Sequence, residues 1–230
     1  MDTKAYEGKA LHYVLAKPDG FTPNAGFTLV VMLHGFGSNM YDLAGLASAI
    51  DAESYVYAFP NAPFEVQLGP GMTGYSWATG RPGMAPTEPD APSTDDLLDA
   101  FLQEIAPEVG RQDGRIILGG FSQGGGLTLT HGLARADVFA GLMVLSGFFR
   151  DPDSVRPRLP AERKQPIFVA HGTHDPMIAI DAGRNTRAFL EELGYPVTYN
   201  EYPMAHEVSQ GELIDLVAWL HQVMPPGQKA

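Results

Sequence analysis

The chain reads Gly120-Phe121-Ser122-Gln123-Gly124-Gly125 at its centre, between an apolar run at 115–119 and a helix-like run at 127–134. A serine at the apex of such a strand–turn–helix unit occupies strained backbone, and the glycines two residues before and after it leave room for the strand and the helix to pass closely. The N–H groups at the start of the helix favour negative charge that develops there. The alternative is a glycine-rich turn with a serine cap, but the flanking elements favour a nucleophilic serine.

The rest of the chain alternates short apolar runs with amphipathic stretches, which is typical of an α/β fold with a mostly parallel central sheet and helices on both faces. Strands are predicted at 11–14, 28–33, 55–59, 115–119, 141–145, 166–170 and 197–202. Helices are predicted at 95–109, with Thr94 as the cap, at 181–193 and at 207–223. No repeat interrupts this order, so one domain over residues 1–230 is expected.

Residues 62–93 break the alternation, because prolines and glycines are frequent there and no period is visible. A loop of this length in a compact domain is often a lid or a binding loop. Bulky apolar residues such as Met72, Trp77 and Met84 favour a lid over a plain surface excursion.

Composition narrows the functional classes. The net charge of −12 argues against nucleic acid and against an anionic membrane surface as partners. The chain has no cysteine, so disulfides, a thiolate nucleophile and cysteine-bound metal are excluded. Neither a signal peptide nor an apolar stretch of membrane-spanning length is visible, and we expect a cytoplasmic protein without stable membrane insertion.

A serine nucleophile needs a base and a carboxylate that orients the base. Asp175 follows the apolar run at 166–170, and His206 follows the run at 197–202. Loops after the carboxyl ends of parallel strands meet at one edge of the sheet. The chain order serine, acid, histidine is the order expected for an elbow serine. We therefore predict Ser122, Asp175 and His206 as the catalytic residues.

The other histidines have simpler explanations. His12 lies in an early strand, and His131 and His221 lie in helices. His171 and His174 flank the Asp175 turn, but no third ligand has a suitable spacing, so no metal is expected. The glycine-rich stretch lacks the signature of a nucleotide-binding loop, and no cofactor is expected.

Acyl transfer also needs donors for an oxyanion. The N–H group after the nucleophile, that of Gln123, is one candidate. The second is the N–H group of Phe36, in a loop where Gly35 and Gly37 let the backbone approach a substrate. The alternative for this loop is a tight turn alone.

The chain resembles the carboxylesterase/phospholipase family of α/β-hydrolases, which includes acyl-protein thioesterases and small bacterial carboxylesterases. The matching pieces are Leu33-His34-Gly35-Phe36-Gly37, Gly120-Phe121-Ser122-Gln123-Gly124-Gly125, His171-Gly172-Thr173-His174-Asp175-Pro176 and Met204-Ala205-His206-Glu207. The resemblance covers about residues 30–208 and implies an α/β-hydrolase fold. It also implies a triad of Ser122, Asp175 and His206, with main-chain donors at Phe36 and Gln123.

The sequence departs from the family where the acyl pocket is expected. Ala78-Thr79 follows Trp77 in place of an aromatic or acidic pair, and Pro176-Met177-Ile178 follows Asp175 in place of a β-branched pair. The stretch 80–92 is also longer than a minimal member needs. Trp77, Met177 and Ile178 are the predicted pocket residues.

These observations predict a serine carboxylesterase that hydrolyses small-molecule esters through an acyl-enzyme, and the resemblance implies esters of short to medium chain. A thioesterase acting on acyl-proteins or acyl-CoA, a lysophospholipase and a non-catalytic binding module on a hydrolase fold are the alternatives. A homodimer is left open.

Overall fold

The computed structural model describes residues 1–23, 27–80, 84, 90–110 and 116–226. These residues form a sheet of eight strands, a separate two-stranded hairpin and five α-helices. The strands are β1 (Asp2–Glu7), β2 (His12–Lys17), β3 (Thr28–Leu33), β4 (Tyr55–Pro60), β5 (Phe64–Gly69), β6 (Met72–Ser76), β7 (Ile116–Phe121), β8 (Phe139–Leu145), β9 (Ile167–Gly172) and β10 (Val197–Tyr202). The helices are α1 (Leu46–Asp51), α2 (Thr94–Glu108), α3 (Gln123–Gly132), α4 (Ile180–Glu192) and α5 (Gln210–Val223).

The large sheet has the strand order β1-β2-β4-β3-β7-β8-β9-β10. The pairs from β4 to β10 are parallel, whereas β1 and β2 form an antiparallel edge next to β4. The predicted α/β fold with a mostly parallel sheet is therefore confirmed. The carboxyl ends of β3, β7, β9 and β10 lie at one edge, which is where the predicted catalytic loops begin.

Helices cover both faces of this sheet. Along β3, Leu29, Val31 and Leu33 belong to a core with residues of α2, α3 and α4. Val30 and Met32 belong to a second core with residues of α1 and α5. Burial on both faces explains why β3 is a continuous apolar run instead of an alternating one.

The helix boundaries differ from the prediction at their first turns. Ser93, not Thr94, caps α2, because the Ser93 side chain accepts a hydrogen bond from Asp96 N–H while the Asp96 side chain accepts one from Ser93 N–H. The hydroxyl of Thr94 instead donates to the carbonyl oxygen of Trp77.

None of the described helices is long and apolar enough to cross a membrane.

The edge strand β1 and the short helix α1 were not expected from the sequence. Strand β1 is exposed along nearly its whole length, so it carries no apolar signal. The strand predicted at 11–14 is longer in the structure and extends to Lys17 as β2. Arg115, the predicted first residue of the elbow strand, lies outside the described residues.

The segment predicted as an irregular lid at 62–93 is partly regular. Strands β5 and β6 form an antiparallel hairpin whose turn contains Gly71 at a φ of 72°. Residues 81–83 and 85–89 of the segment lie outside the described residues. The sequence missed the hairpin because most residues of its strands are exposed or half-exposed, so the strands form no continuous apolar run.

Candidate active site

Ser122 occupies the sharp turn between β7 and α3, with φ of 54° and ψ of −114°. A positive φ is uncommon for a residue with a side chain and marks local strain. A Cβ atom added to Gly120 would lie 2.3 Å from the carbonyl carbon of Gly124, and one added to Gly124 would lie 2.1 Å from the carbonyl oxygen of Leu33. The two glycines are therefore required by close backbone contacts, as the sequence predicts.

The carboxylate of Asp175 lies in the turn after β9 and contacts His206 directly. Asp175 Oδ2 is 2.6 Å from His206 Nδ1. Asp175 Oδ1 accepts hydrogen bonds from Met177 N–H at 2.8 Å and Ile178 N–H at 2.9 Å. The turn thus fixes which carboxylate oxygen faces the imidazole.

These contacts keep the Asp175 carboxylate ionised. Its side chain is fully buried, and burial alone would raise its pKa. Hydrogen bonds from Ile178 N–H, His206 and Met177 N–H outweigh burial and lower the pKa of Asp175 below its usual value. A buried anion beside Nδ1 favours a proton on that nitrogen, which leaves Nε2 able to act as a base.

His206 is held beside the nucleophile elbow. Its ring packs against the ring of Phe121 with a centroid distance of 4.7 Å, and Phe121 directly precedes Ser122. The loop of His206 is bonded to the Asp175 turn, because His174 N–H donates to the carbonyl oxygen of Met204 at 3.1 Å. The structure therefore brings the three predicted catalytic residues to one edge of the sheet.

The loop after β3, residues 34–38, lies against the elbow. A Cβ atom added to Gly35 would be 3.5 Å from Ser122 Cβ. Gly37 has a φ of 78°, and its N–H group donates to the carbonyl oxygen of Tyr75 in the hairpin at 2.8 Å. Tyr75 N–H donates in return to Ser38. The hairpin therefore braces this loop through paired backbone hydrogen bonds.

The two predicted oxyanion donors belong to the 34–38 loop and to the start of α3. Phe36 is half-buried within the braced loop. Gln123 is the first residue of α3, where the helix dipole and the backbone N–H groups favour an anion.

A hydrogen-bond network joins the start of α3 to the 34–38 loop. The Gln123 side chain accepts from Trp77 N–H at 3.1 Å and donates to Ser76 Oγ at 3.0 Å. The indole N–H of Trp77 donates to the carbonyl oxygen of His34 at 2.9 Å. The first residue of α3 and the first residue of the 34–38 loop are thus linked through Trp77.

The three predicted pocket residues lie in different environments. Trp77 is only 3 % exposed and packs into the core. Its side chain therefore contributes little surface for a substrate, and its indole N–H instead holds the 34–38 loop through the carbonyl oxygen of His34. Met177 is 75 % exposed, and Ile178 beside it is half-buried. Their backbone N–H groups hold Asp175, which fixes the place of both side chains relative to the site.

Two of the other histidines lie beside carboxylates of the helices and their ends, and His171 Nε2 lies 3.6 Å from Asp175 Oδ2. His131 is buried beside Asp95 and Asp99, and His221 lies near Asp51. His171 Nε2 lies 2.9 Å from the carbonyl oxygen of Ile178. Within the described ranges, no group of three His, Asp or Glu side chains is arranged to hold a metal ion.

Sequence reasoning missed two side chains of the site, those of His34 and Gln123. A signal was available for His34, because it follows six buried residues of β3 and a buried polar group needs partners. The side-chain role of Gln123 had no signal, since its partners lie 46 and 47 residues away.

Comparison with known proteins identifies the family of this chain. The profile of the family described as Phospholipase/Carboxylesterase matches residues 24–224. The chain belongs to this family. It is 31 % identical to "Acyl-protein thioesterase 1" of Mycosarcoma maydis over 234 residues, covering 92 % of this chain and 96 % of the relative. It is 29 % identical to "Carboxylesterase SOBER1" of Arabidopsis thaliana over 205 residues, covering 84 % of this chain and 89 % of that protein.

Solved structures of similar proteins share the fold. The crystal structure of Arabidopsis thaliana SOBER1 superimposes with a TM-score of 0.69 at 27 % identity, covering 85 % of this chain and 98 % of that one. The Bacillus cereus carboxylesterase has a TM-score of 0.71 at 19 % identity, covering 94 % of this chain and 96 % of that one, and supports the fold alone.

Proposed function

We propose that this chain is a serine carboxylesterase, with Ser122 as nucleophile, His206 as general base and acid, and Asp175 as the group that orients His206. The observation that carries the proposal is the 2.6 Å contact between Asp175 and His206, with the His206 ring packed beside the strained Ser122 turn. Family membership adds support, because the family is described as Phospholipase/Carboxylesterase.

The proposed reaction has two halves. Ser122 Oγ attacks the ester carbonyl carbon while His206 Nε2 takes the hydroxyl proton, and the N–H groups of Phe36 and Gln123 stabilise the oxyanion. The intermediate collapses, the C–O bond to the alcohol breaks, and His206 returns the proton to the leaving alcohol. Water then attacks the acyl-enzyme with His206 as base, which releases the acid and restores Ser122.

The variant Ser122→Ala tests this proposal with a short aryl ester such as p-nitrophenyl butyrate. We expect a loss of several orders of magnitude in kcat, because removing a triad member costs about 10⁴- to 10⁶-fold in comparable enzymes. Ser154→Ala is the matched control, since Ser154 is exposed and its hydroxyl donates to the carbonyl oxygen of Asp151 in its own turn. Hydrolysis by folded Ser122→Ala within a few-fold of wild type would refute the mechanism.

A thioesterase is the second candidate. Its support is the extended similarity to relatives named "Acyl-protein thioesterase 1", one of which covers 92 % of this chain. Matched oxygen esters and thioesters of the same acyl group decide between the two, through kcat/KM for each. A clear preference for the thioester would favour this candidate, and a lysophospholipid substrate belongs in the same panel.

The pocket is proposed to involve Met177 and Ile178, with the hairpin at 64–76 beside it. Because β6 is bonded to the 34–38 loop, opening of the hairpin would break the Gly37–Tyr75 pair. Met177→Ala should change chain-length preference while leaving kcat for the shortest ester close to wild type. An unchanged preference across the ester panel would remove Met177 from the pocket.

The homodimer and the cytoplasmic location remain predictions from the sequence. A homodimer would be seen by light scattering as twice the mass of the chain, whereas a monomer would contradict it. A cytoplasmic location is tested by fractionation of the source cells, and recovery outside the cytoplasm would contradict it.

A further inference from the structure

His34 is a buried histidine whose ring contacts the loop proposed to supply an oxyanion donor and also the backbone that follows β4. It is 1 % exposed. Its Nδ1 lies 2.7 Å from the carbonyl oxygen of Gly35, and its Nε2 lies 3.0 Å from the backbone nitrogen of Ala62. Its own carbonyl oxygen accepts the indole N–H of Trp77 at 2.9 Å. The proposed reaction uses none of these three contacts.

The two ring contacts require the same neutral tautomer. A carbonyl oxygen only accepts hydrogen bonds, so Nδ1 must carry the proton that it donates to Gly35. The Ala62 N–H group only donates, so Nε2 must offer a lone pair. Burial also lowers the pKa of His34, against smaller opposing effects of the Gly35 bond and the Asp42 charge. The ring is therefore a fixed neutral donor toward Gly35.

The Gly35 carbonyl is coupled to the proposed donor by covalent geometry. The C=O of Gly35 and the N–H of Phe36 belong to one planar peptide group, and they point in opposite directions when that peptide is trans. No cis peptide occurs among the described residues. A bond that fixes the Gly35 oxygen therefore fixes the direction of the Phe36 N–H group. Gly35 also lies next to Ser122, where the oxyanion would form.

We propose that His34 is a positioning residue whose Nδ1–H holds the Gly35 carbonyl and thereby aims the Phe36 N–H group at the oxyanion. This inference rests on the proposed esterase function. Since the oxyanion exists only during acyl transfer, His34 should act on kcat and on the binding of transition-state mimics, with little effect on KM. A purely structural histidine would instead change the stability of the fold.

Two substitutions separate the bonds of the ring. The amide nitrogen of asparagine reaches about as far as Nδ1, so His34→Asn keeps a donor for Gly35 and loses the acceptor for Ala62. The amide oxygen of glutamine reaches about as far as Nε2, so His34→Gln keeps the acceptor for Ala62 and loses the donor for Gly35. Both variants remove the imidazole ring, which makes them matched to each other.

We expect His34→Gln to lower kcat about 10²-fold with KM within about threefold, which is the size reported for loss of one oxyanion donor. His34→Asn should recover at least about tenfold of that loss. The inhibition constant of a boronic acid, which mimics the tetrahedral intermediate, should rise in parallel with the loss of kcat. His131→Gln is the control for a buried histidine elsewhere and should lower the melting temperature without changing kcat.

Equal kcat in the two His34 variants, or a loss confined to KM, would overturn the proposal. Nitrogen-15 NMR of the histidines in the wild-type protein gives a test that needs no variant. We expect His34 to show the Nδ1–H tautomer and a pKa below the ordinary histidine value, because burial disfavours the charged ring. An Nε2–H tautomer would overturn the proposal, and so would an ordinary histidine titration. The proposed esterase function is tested separately. Activity retained in Ser122→Ala would refute that function, independently of the results for the His34 variants.

Discussion

Replacing Asp175 by asparagine should leave the site folded but place the imidazole proton of His206 on the wrong nitrogen. In the wild type, Asp175 Oδ1 accepts two backbone N–H groups, those of Met177 and Ile178, and Oδ2 faces His206. An asparagine must keep its carbonyl oxygen toward the two N–H donors, because an NH₂ group there would lose both bonds. Its NH₂ group then faces Nδ1 of His206 as a donor. Nδ1 must accept, so the proton moves to Nε2, which can no longer deprotonate Ser122.

The expected changes in kcat and in the free energy of unfolding of Asp175→Asn follow from these contacts. A wrong tautomer in a Ser-His-Asp arrangement costs about 10⁴-fold in kcat, which corresponds to about 5.4 kcal/mol. The free energy of unfolding should fall by only about 1.5–3 kcal/mol at neutral pH, the range for one hydrogen bond to a charged group. Because folding lowers the pKa of Asp175 from the ordinary aspartate value of 3.8, the stability that the carboxylate contributes is present above that value. This stability is lost as the pH falls through the folded pKa. The stability difference between wild type and Asp175→Asn should therefore shrink in acid.

The assay is hydrolysis of p-nitrophenyl butyrate at saturating substrate, with urea denaturation at neutral and acidic pH to measure stability. Asp153→Asn is the matched control, because the Asp153 side chain is 82 % exposed and pairs with Arg156 on its own surface turn. Asp153→Asn should retain wild-type kcat. Folded Asp175→Asn within about tenfold of wild-type kcat would refute the tautomer argument.

Two further predictions concern stability. Glu212 is fully buried, and burial raises its pKa to about 8, partly opposed by the hydrogen bond from Ser209 N–H. The carboxyl therefore ionises more readily in the unfolded chain than in the folded one. Between about pH 4.5 and 8, the wild type should lose stability relative to Glu212→Gln by up to about 1.4 kcal/mol per pH unit. Urea denaturation at pH 5 and pH 8 measures this, and a gap that does not grow with pH would contradict it. Gly124→Ala should cost about 3 kcal/mol, because its Cβ would lie 2.1 Å from the Leu33 carbonyl oxygen. Gly45→Ala is its control, since nothing lies within 4 Å of that added Cβ, and equal melting temperatures for the two variants would contradict the steric argument.

The sequence predicted the parts of the fold that depend on local signals. The β3 strand is recognisable because burial on both faces makes it a continuous apolar run. The elbow is recognisable because close backbone contacts at Gly120 and Gly124 restrict the residue type. The loops of Asp175 and His206 follow from strand order, since parallel strands end at the same edge.

The parts that were missed depend on contacts between distant residues or lack an apolar pattern. Strand β1 is exposed on both sides and shows no alternation. The role of His34 depends on Ala62 and Trp77, which lie 28 and 43 residues further along the chain. No local pattern encodes such pairings, and only the folded chain brings these groups into hydrogen-bonding distance.

The central claim is that Ser122 forms a covalent acyl-enzyme, and labelling by a fluorophosphonate tests it most directly. The probe phosphonylates a serine only when a base and an oxyanion site activate it. Mass spectrometry of the intact protein and its peptides should show one adduct, on the peptide with Ser122, in wild type and none in Ser122→Ala. A folded wild-type protein that stays unlabelled, or carries its label on another residue, would contradict the claim and favour a non-catalytic binding module.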